Sequence, residues 1–445
     1  MRLSSSTTLL TGERKAWAGN ESEQQQRKNL SHPRWFTVQG NTPFQGYHRR
    51  HRRKVASQPR LLMHYYSKVF NPPRIIFILR SFKLGGAERQ AVLLANHFHS
   101  TGAFHVEVVA FEKGRAVPAL LPSSITTSLI HLGGRRRLGR LLGTVGLTRH
   151  LRRRRGDILL PFTDWPNKAV GAVWPLTGAK ACIWNQRDEG LEITGRFMEH
   201  RALKQVSWFV ANSRSGKDFL SSRMRVDPAQ ISVISNCVLP LKPKNDRDHW
   251  RSRLAINPKT FVVTMVASLS RFKDHGTLLK AWPMVQEKYP DSVLLLAGRD
   301  GDRHSQVRET CSRLKSVHLL GEVLDIGGLL AASDTLVHSS FLEGTPNAVL
   351  EAMAAGLPVV ATDIPGTRIA MGSGNRWLIP SRNSELLANT LLVLSGDPVL
   401  RRHVGTENRL RTLREFSPAV VSHSWLELFH PLLNNLRPQP GDGRD

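Results

Sequence analysis

Cysteine is scarce. Cys182, Cys237 and Cys311 stand far apart in 445 residues, with no metal-like spacing. No disulfide framework is expected, and a reducing cytoplasm fits that usage. Long apolar runs are missing too. No uncharged stretch approaches the roughly 18 residues of a membrane-spanning helix. The N-terminal stretch lacks an apolar core of secretory length, so no signal peptide is expected. Acid is in short supply: 35 Asp and Glu face 63 Lys and Arg, a formal net charge of +28. That imbalance implies attraction to something anionic, whether nucleic acid, a phospholipid surface or a phosphorylated substrate. No nucleic-acid-binding motif accompanies the charge, so a nucleic-acid partner is not expected.

The chain itself falls into distinct stretches. Residues 1–72 carry thirteen Lys/Arg against three Asp/Glu and little apolar periodicity. They read as a disordered basic tail, and HRRHRRK at 48–54 as a solvated charge run rather than a nucleic-acid arm. Folded structure is expected from RIIFILR at 74–80, an apolar run of the kind that is buried on both faces of a sheet. A Gly85–Gly86 loop and a helix follow. Further strands are read at 105–111, 157–162, 181–186, 208–213 and 231–236. A polar stretch at 241–254 separates a second cycle, with strands at 261–268, 292–298, 317–323, 334–340 and 358–363. Strands alternating with helices predict α/β domains with doubly wound parallel sheets, one over 73–240 and one over 241–415. Residues 416–437 read as one more helix, and 438–445 as a loose tail. Two such domains place a cleft between the carboxyl ends of their strands.

The most specific stretch is EGTPNAVLE, from Glu343 to Glu351. Thr345 reads as an N-cap and Pro346 as the first helical residue, with Gly356 as a left-handed C-cap. Free N–H groups at such a helix mouth suit a phosphate or diphosphate. The glutamates on either side suit hydroxyl groups, because an ionised carboxylate only accepts hydrogen bonds. Diphosphate plus hydroxyls describes a nucleotide sugar. Lys273 follows a strand at its carboxyl end, where its ammonium can neutralise a diphosphate, and Arg271 is a second cation within reach. The glycines Gly85 and Gly86 permit close backbone approach to a ligand. Turns at Gly298–Asp300 and at Gly321, Glu322 and Val323 could frame a nucleobase. The segment from His131 to Gly156 holds nine arginines and no acid. It reads either as an amphipathic helix on an anionic membrane or as a crossover helix with its apolar face on the sheet.

These motifs resemble a known family. GGAERQ, the VISN segment ending at Asn236, VASLSRFKDHGTLL and the long block from HLLGEV through EGTPNAVLEAMAAGLPVVATDIPG are similar to retaining glycosyltransferases of family 4, with the two-Rossmann GT-B architecture. The resemblance spans residues 74–433. It implies that Glu343 holds the donor sugar's hydroxyls, Glu351 the ribose hydroxyls and Lys273 the diphosphate. Gly86 would sit near the diphosphate, Gly344 and Thr345 would present backbone to the sugar, and Asn347 belongs to the same helix mouth. The last helix would cross back onto the N-terminal domain. The implied donor is a UDP-, GDP- or ADP-sugar and the acceptor a glycan or lipid-linked sugar, in cell-envelope or exopolysaccharide synthesis. The implied place is the cytoplasmic face of an anionic inner membrane. No DxD metal motif stands at the site, and neither metal nor cofactor is expected. Two positions depart from the pattern. Ser268 replaces a usual arginine, a contact that Arg271 would have to supply, and Gln186–Arg187 stand where many members have a histidine. A catalytically impaired nucleotide-sugar-binding protein is the alternative these departures raise. A nucleotide-sugar epimerase fits the block around Glu343 less well.

Overall fold

The computed structural model describes residues 72–132, 137–187 and 197–434. The expected basic tail, except for its last residue, and the loose C-terminal tail lie outside them. The first sheet contains β1 (Arg74–Ser81), β2 (His105–Glu112), β3 (Thr126–Leu129), β4 (Ile158–Pro161), β5 (Ala181–Gln186), β6 (Trp208–Ala211) and β7 (Ile231–Val233). Their order is β3-β2-β1-β4-β5-β6-β7, and every pairing is parallel. The second sheet contains β8 (Val262–Val266), β9 (Val293–Ala297), β10 (Val317–Gly321), β11 (Thr335–His338), β12 (Val359–Thr362) and β13 (Leu378–Ile379). It runs β10-β9-β8-β11-β12-β13, again all parallel.

Each sheet starts in its middle and winds outward in both directions. The reversal falls between β1 and β4 in one and between β8 and β11 in the other. At such a reversal the connecting loops part and leave a crevice at the strands' carboxyl ends. The strands read as continuous apolar runs because helices cover both faces: Ile75, Ile76, Phe77, Ile78 and Leu79 are all fully buried. β3 and β13 carry no such run, lie at sheet edges, and are additions to the strands expected from sequence.

Five helices matter for the site: α1 (Gly86–Ser100), α2 (Arg137–Arg154), α3 (His275–Lys288), α4 (Asn347–Ala354) and α5 (Pro418–Leu433). α2 lies in the arginine-rich segment. Leu147 and Leu151 are buried in the core beneath the first sheet, as a crossover helix requires, while Leu142 and Val145 stay exposed. α5 returns to the N-terminal half. Phe429 meets Phe98 of α1 at 5.8 Å and Phe104 at 5.6 Å, ring to ring, and the fully buried Trp425 packs on Phe429 at 5.6 Å. Buried aromatics of this size dominate a local core. Among the described residues no helix is long and apolar enough to cross a membrane.

Candidate functional site

A cleft of about 320 Å³ opens between the carboxyl ends of the two sheets. It brings together Gly85, Gly86, Lys273, Glu322, Val323, Glu343, Asn347 and Glu351 of the residues expected from sequence. Ser268, Arg299, His338 and Arg89 also line it.

The C-terminal half contributes charge. Asp274 caps α3 by accepting from the Thr277 amide at 3.1 Å, which fixes Lys273 one residue before the cap. The Lys273 ammonium is paired with Oε1 of Glu343. Burial pulls its pKa down to about 8, because a low-dielectric surrounding disfavours the charged form. The same Oε1 lies 2.9 Å from Nε2 of His338, a buried residue on β11. Burial, with Lys273 and His275 nearby, holds the His338 pKa well below the usual histidine value. A neutral imidazole can serve a carboxylate only as a donor, so His338 orients Glu343 without adding charge.

α4 starts one residue later than the sequence suggested. Pro346 occupies the cap position with extended backbone, φ −75° and ψ 118°, and the helix begins at Asn347. Thr345 is therefore not the N-cap. Its hydroxyl instead donates to the Asn212 carbonyl at 2.5 Å, across the cleft. Proline is tolerated here because it has no N–H to leave unpaired. At the other end Gly356, with φ 79°, takes the left-handed position, and the Leu357 amide reaches back to the Ala352 carbonyl at 3.0 Å. Glu351 lies one turn into α4 and is buried. That burial raises its pKa, opposed by Arg89.

The N-terminal half contributes mostly backbone and carboxamides. Asn347 Nδ2 donates to the Gly86 carbonyl at 3.0 Å, and its Oδ1 accepts from Gln90 at 3.0 Å and Asn236 at 2.7 Å. Asn236 Nδ2 also donates to the Thr345 carbonyl at 2.7 Å. A side chain at Gly344 would meet the Asn212 carboxamide, whose Oδ1 would lie 2.5 Å from the new Cβ. Gly344 and Thr345 thus form the seam between the halves and are not among the residues lining the cleft. Gly86 lets the α4 mouth come close: a Cβ there would stand 3.1 Å from Asn347 Nδ2.

Arg271, expected from sequence to make up for the arginine missing at Ser268, is not among the residues lining the cleft. Its amide is held by Asp302 at 2.8 Å, its exposed guanidinium stacks on Phe272 at 5.0 Å, and it lies outside the cleft. Arg299, beside Gly85 at the glycine loop, sits 3.7 Å from Glu322. Gln186 is buried and accepts from Trp184 at 2.9 Å, while Arg187 donates to Asn236 Oδ1 at 2.9 Å and lies over Phe162. Sequence reasoning missed Arg89, Gln90, Asn212 and His338. Only the first two carried a signal, as the last residues of GGAERQ.

Two facing parallel-sheet domains with the ligand crevice between them are the GT-B fold. The Anabaena protein HepE, solved with UDP and glucose, shares it at a TM-score of 0.70 and 21% identity, over 80% of this chain and 99% of that one. Residues 84–239 match the family described as Glycosyltransferase Family 4, and 260–397 that described as Glycosyl transferases group 1. The chain belongs to these group 1, family 4 glycosyltransferases. It is 30% identical over 222 residues to the Escherichia coli UDP-Gal:alpha-D-GlcNAc-diphosphoundecaprenol alpha-1,3-galactosyltransferase, covering 48% of this chain and 57% of that enzyme. It is 32% identical over 202 residues to the Bacillus subtilis protein EpsD, covering 45% of this chain and 52% of that one. The chain thus spans little more than half the length of these two relatives.

Proposed function

We propose that the protein transfers a sugar from a nucleotide-diphosphate donor to a glycan or lipid-linked acceptor, with retention of configuration, in cell-envelope or exopolysaccharide synthesis. The observation that carries this reading is the single cleft that gathers Lys273, the mouth of α4, Glu343 and Glu351. In this reading Lys273 and the first N–H groups of α4 neutralise the diphosphate. Glu343 and Glu351 hold the sugar and ribose hydroxyls, Gly85 and Gly86 admit the diphosphate closely, and Glu322 and Val323 flank the base. The bond from the anomeric carbon to the diphosphate oxygen breaks as the acceptor oxygen bonds to the same face. The acceptor's proton passes to the departing diphosphate oxygen, so no protein nucleophile is required. The protein's part is to align two substrates and stabilise developing charge.

A UDP-sugar is the favoured donor, because the Escherichia coli relative at 30% identity is named for one. With cations of its own at the diphosphate, the enzyme is proposed to work without a metal ion. The proposed place is the cytoplasmic face of an anionic membrane, met by the arginine-rich α2 side. The test is calorimetric titration with UDP, GDP and ADP, followed by a donor screen that reads released nucleoside diphosphate by mass spectrometry. Binding of none of the three sinks the proposal. Tight binding with neither transfer nor slow donor hydrolysis would favour a protein that kept the site and lost catalysis, the reading raised by Ser268 and Gln186.

A further inference from the structure

We propose that Arg89 is the second cation of the donor diphosphate, delivered across the cleft from the N-terminal half. The inference rests on the nucleotide-sugar reading above and names who completes its phosphate site. A diphosphate carries more charge than one buried lysine balances, and the other cations of the C-terminal half near the cleft are exposed and already have carboxylate partners. Position 268 is a serine, Arg271 is turned out onto Phe272 and Asp302, and Arg299, which reaches the edge of the cleft beside Gly85, is exposed and shared with Glu322 and Glu88.

Arg89 lies on the first turn of α1, its amide bonded to the Gly85 carbonyl at 3.0 Å. It therefore rises directly from the glycine loop that faces the α4 mouth. Its Nη1 lies 2.7 Å from Oε1 of Glu351, and its side chain remains 25% exposed within the cleft that Lys273 also lines. Among the described residues, that is its one side-chain hydrogen bond. A guanidinium has five N–H donors in a planar fork, so one contact with Glu351 leaves the others for phosphate oxygens. Each of these two cations is held by a glutamate, Lys273 by Glu343 and Arg89 by Glu351. Donor hydroxyls satisfy the glutamates, and the phosphates take over the cations. Because Arg89 belongs to the other half, its contact with Glu351 would place cations from both halves at the leaving group.

The test compares calorimetric binding of UDP with uridine, and of GDP with guanosine, to the full chain. Arg89→Met is expected to weaken the diphosphate by about ten- to a hundredfold, the range for hydrogen bonds to a charged group. It should leave the nucleoside within about twofold. Arg89→Lys should fall between, and it also reports if the methionine variant fails to fold. Arg271→Met and Arg299→Met should keep the ratio of diphosphate to nucleoside affinity. Unchanged diphosphate binding in both Arg89 variants overturns the inference. So does an equal loss for diphosphate and nucleoside, which would mark Arg89 as an interdomain latch alone, and so does a diphosphate-selective loss in Arg271→Met or Arg299→Met. Wild-type protein that binds no nucleoside diphosphate overturns the nucleotide-sugar reading and this inference together.

Discussion

The two halves share one build and meet the same cleft, yet they bring different materials to it. The C-terminal half presents Lys273, Glu343 and Glu351, ionised groups set around a helix mouth. The N-terminal half presents the Gly85–Gly86 backbone and the carboxamides of Gln90, Asn212 and Asn236, with Arg89 as the charged group that reaches Glu351. Charge holds a ligand at long range and tolerates small displacements. Carboxamides act only at hydrogen-bond distance and so fix register. In the proposed reading, then, one half binds the donor and the other is placed against it.

Four experiments break or sharpen that comparison. The largest effect is expected from Trp425→Ala. A fully buried tryptophan lost from the contact between α5 and the N-terminal core should cost about 3–5 kcal/mol in urea unfolding. A loss under about 1 kcal/mol would mean that α5 does not belong to that half's core. Lys273→Met comes next. Turnover should drop by about 10²–10³-fold, as when one preorganised donor to a developing anion is removed. Near-normal turnover would move the centre of charge out of the C-terminal half.

Gly344→Ala should act on the seam alone. The new methyl meets Asn212, so the halves cannot close fully, and donor affinity should fall by about tenfold, on the order of 1–2 kcal/mol. The unfolding midpoint should hardly move. Equal donor affinity in mutant and wild type would show that closure at this seam is not needed. The smallest effect is in pH. Lys273 has its free-enzyme pKa lowered to about 8, so it is a cation below that pH and loses its proton above it. Diphosphate binding favours the cation. Affinity should therefore decline as pH rises past about 8, by at most about tenfold per unit for one proton. Lys273→Arg, which stays charged, should flatten that decline, and an unchanged slope would rule Lys273 out as its source.

The central strands were legible because each is apolar on both faces, and the charged half of the site because its motif is contiguous from Glu343 to Glu351. What escaped reading depends on partners far away in the chain. Arg89 and Glu351 are separated by 262 positions, and nothing local to GGAERQ announces that pairing. Arg271 looked available because it precedes Lys273 by two residues. Asp302, on a different loop, holds its backbone and receives its side chain. Thr345 has the chemistry of an N-cap. It is drawn off to Asn212 by a contact that exists only once both halves are folded. β3 (TTSL) carries little of the apolar signal a buried strand needs, since it lies at the edge of its sheet.

Asn347 has further reach. Its oxygen already accepts from Gln90 and Asn236, one donor for each lone pair, and its nitrogen donates to Gly86. The side chain works as a three-pronged plug whose socket is written in the other half of the gene. Hybrids that join this C-terminal half to a relative's N-terminal half should therefore assemble only when the residues matching Gly86, Gln90 and Asn236 travel as a set with Asn347. Any exchange of halves has to match these four positions together with the Arg89–Glu351 and Thr345–Asn212 contacts of the same seam.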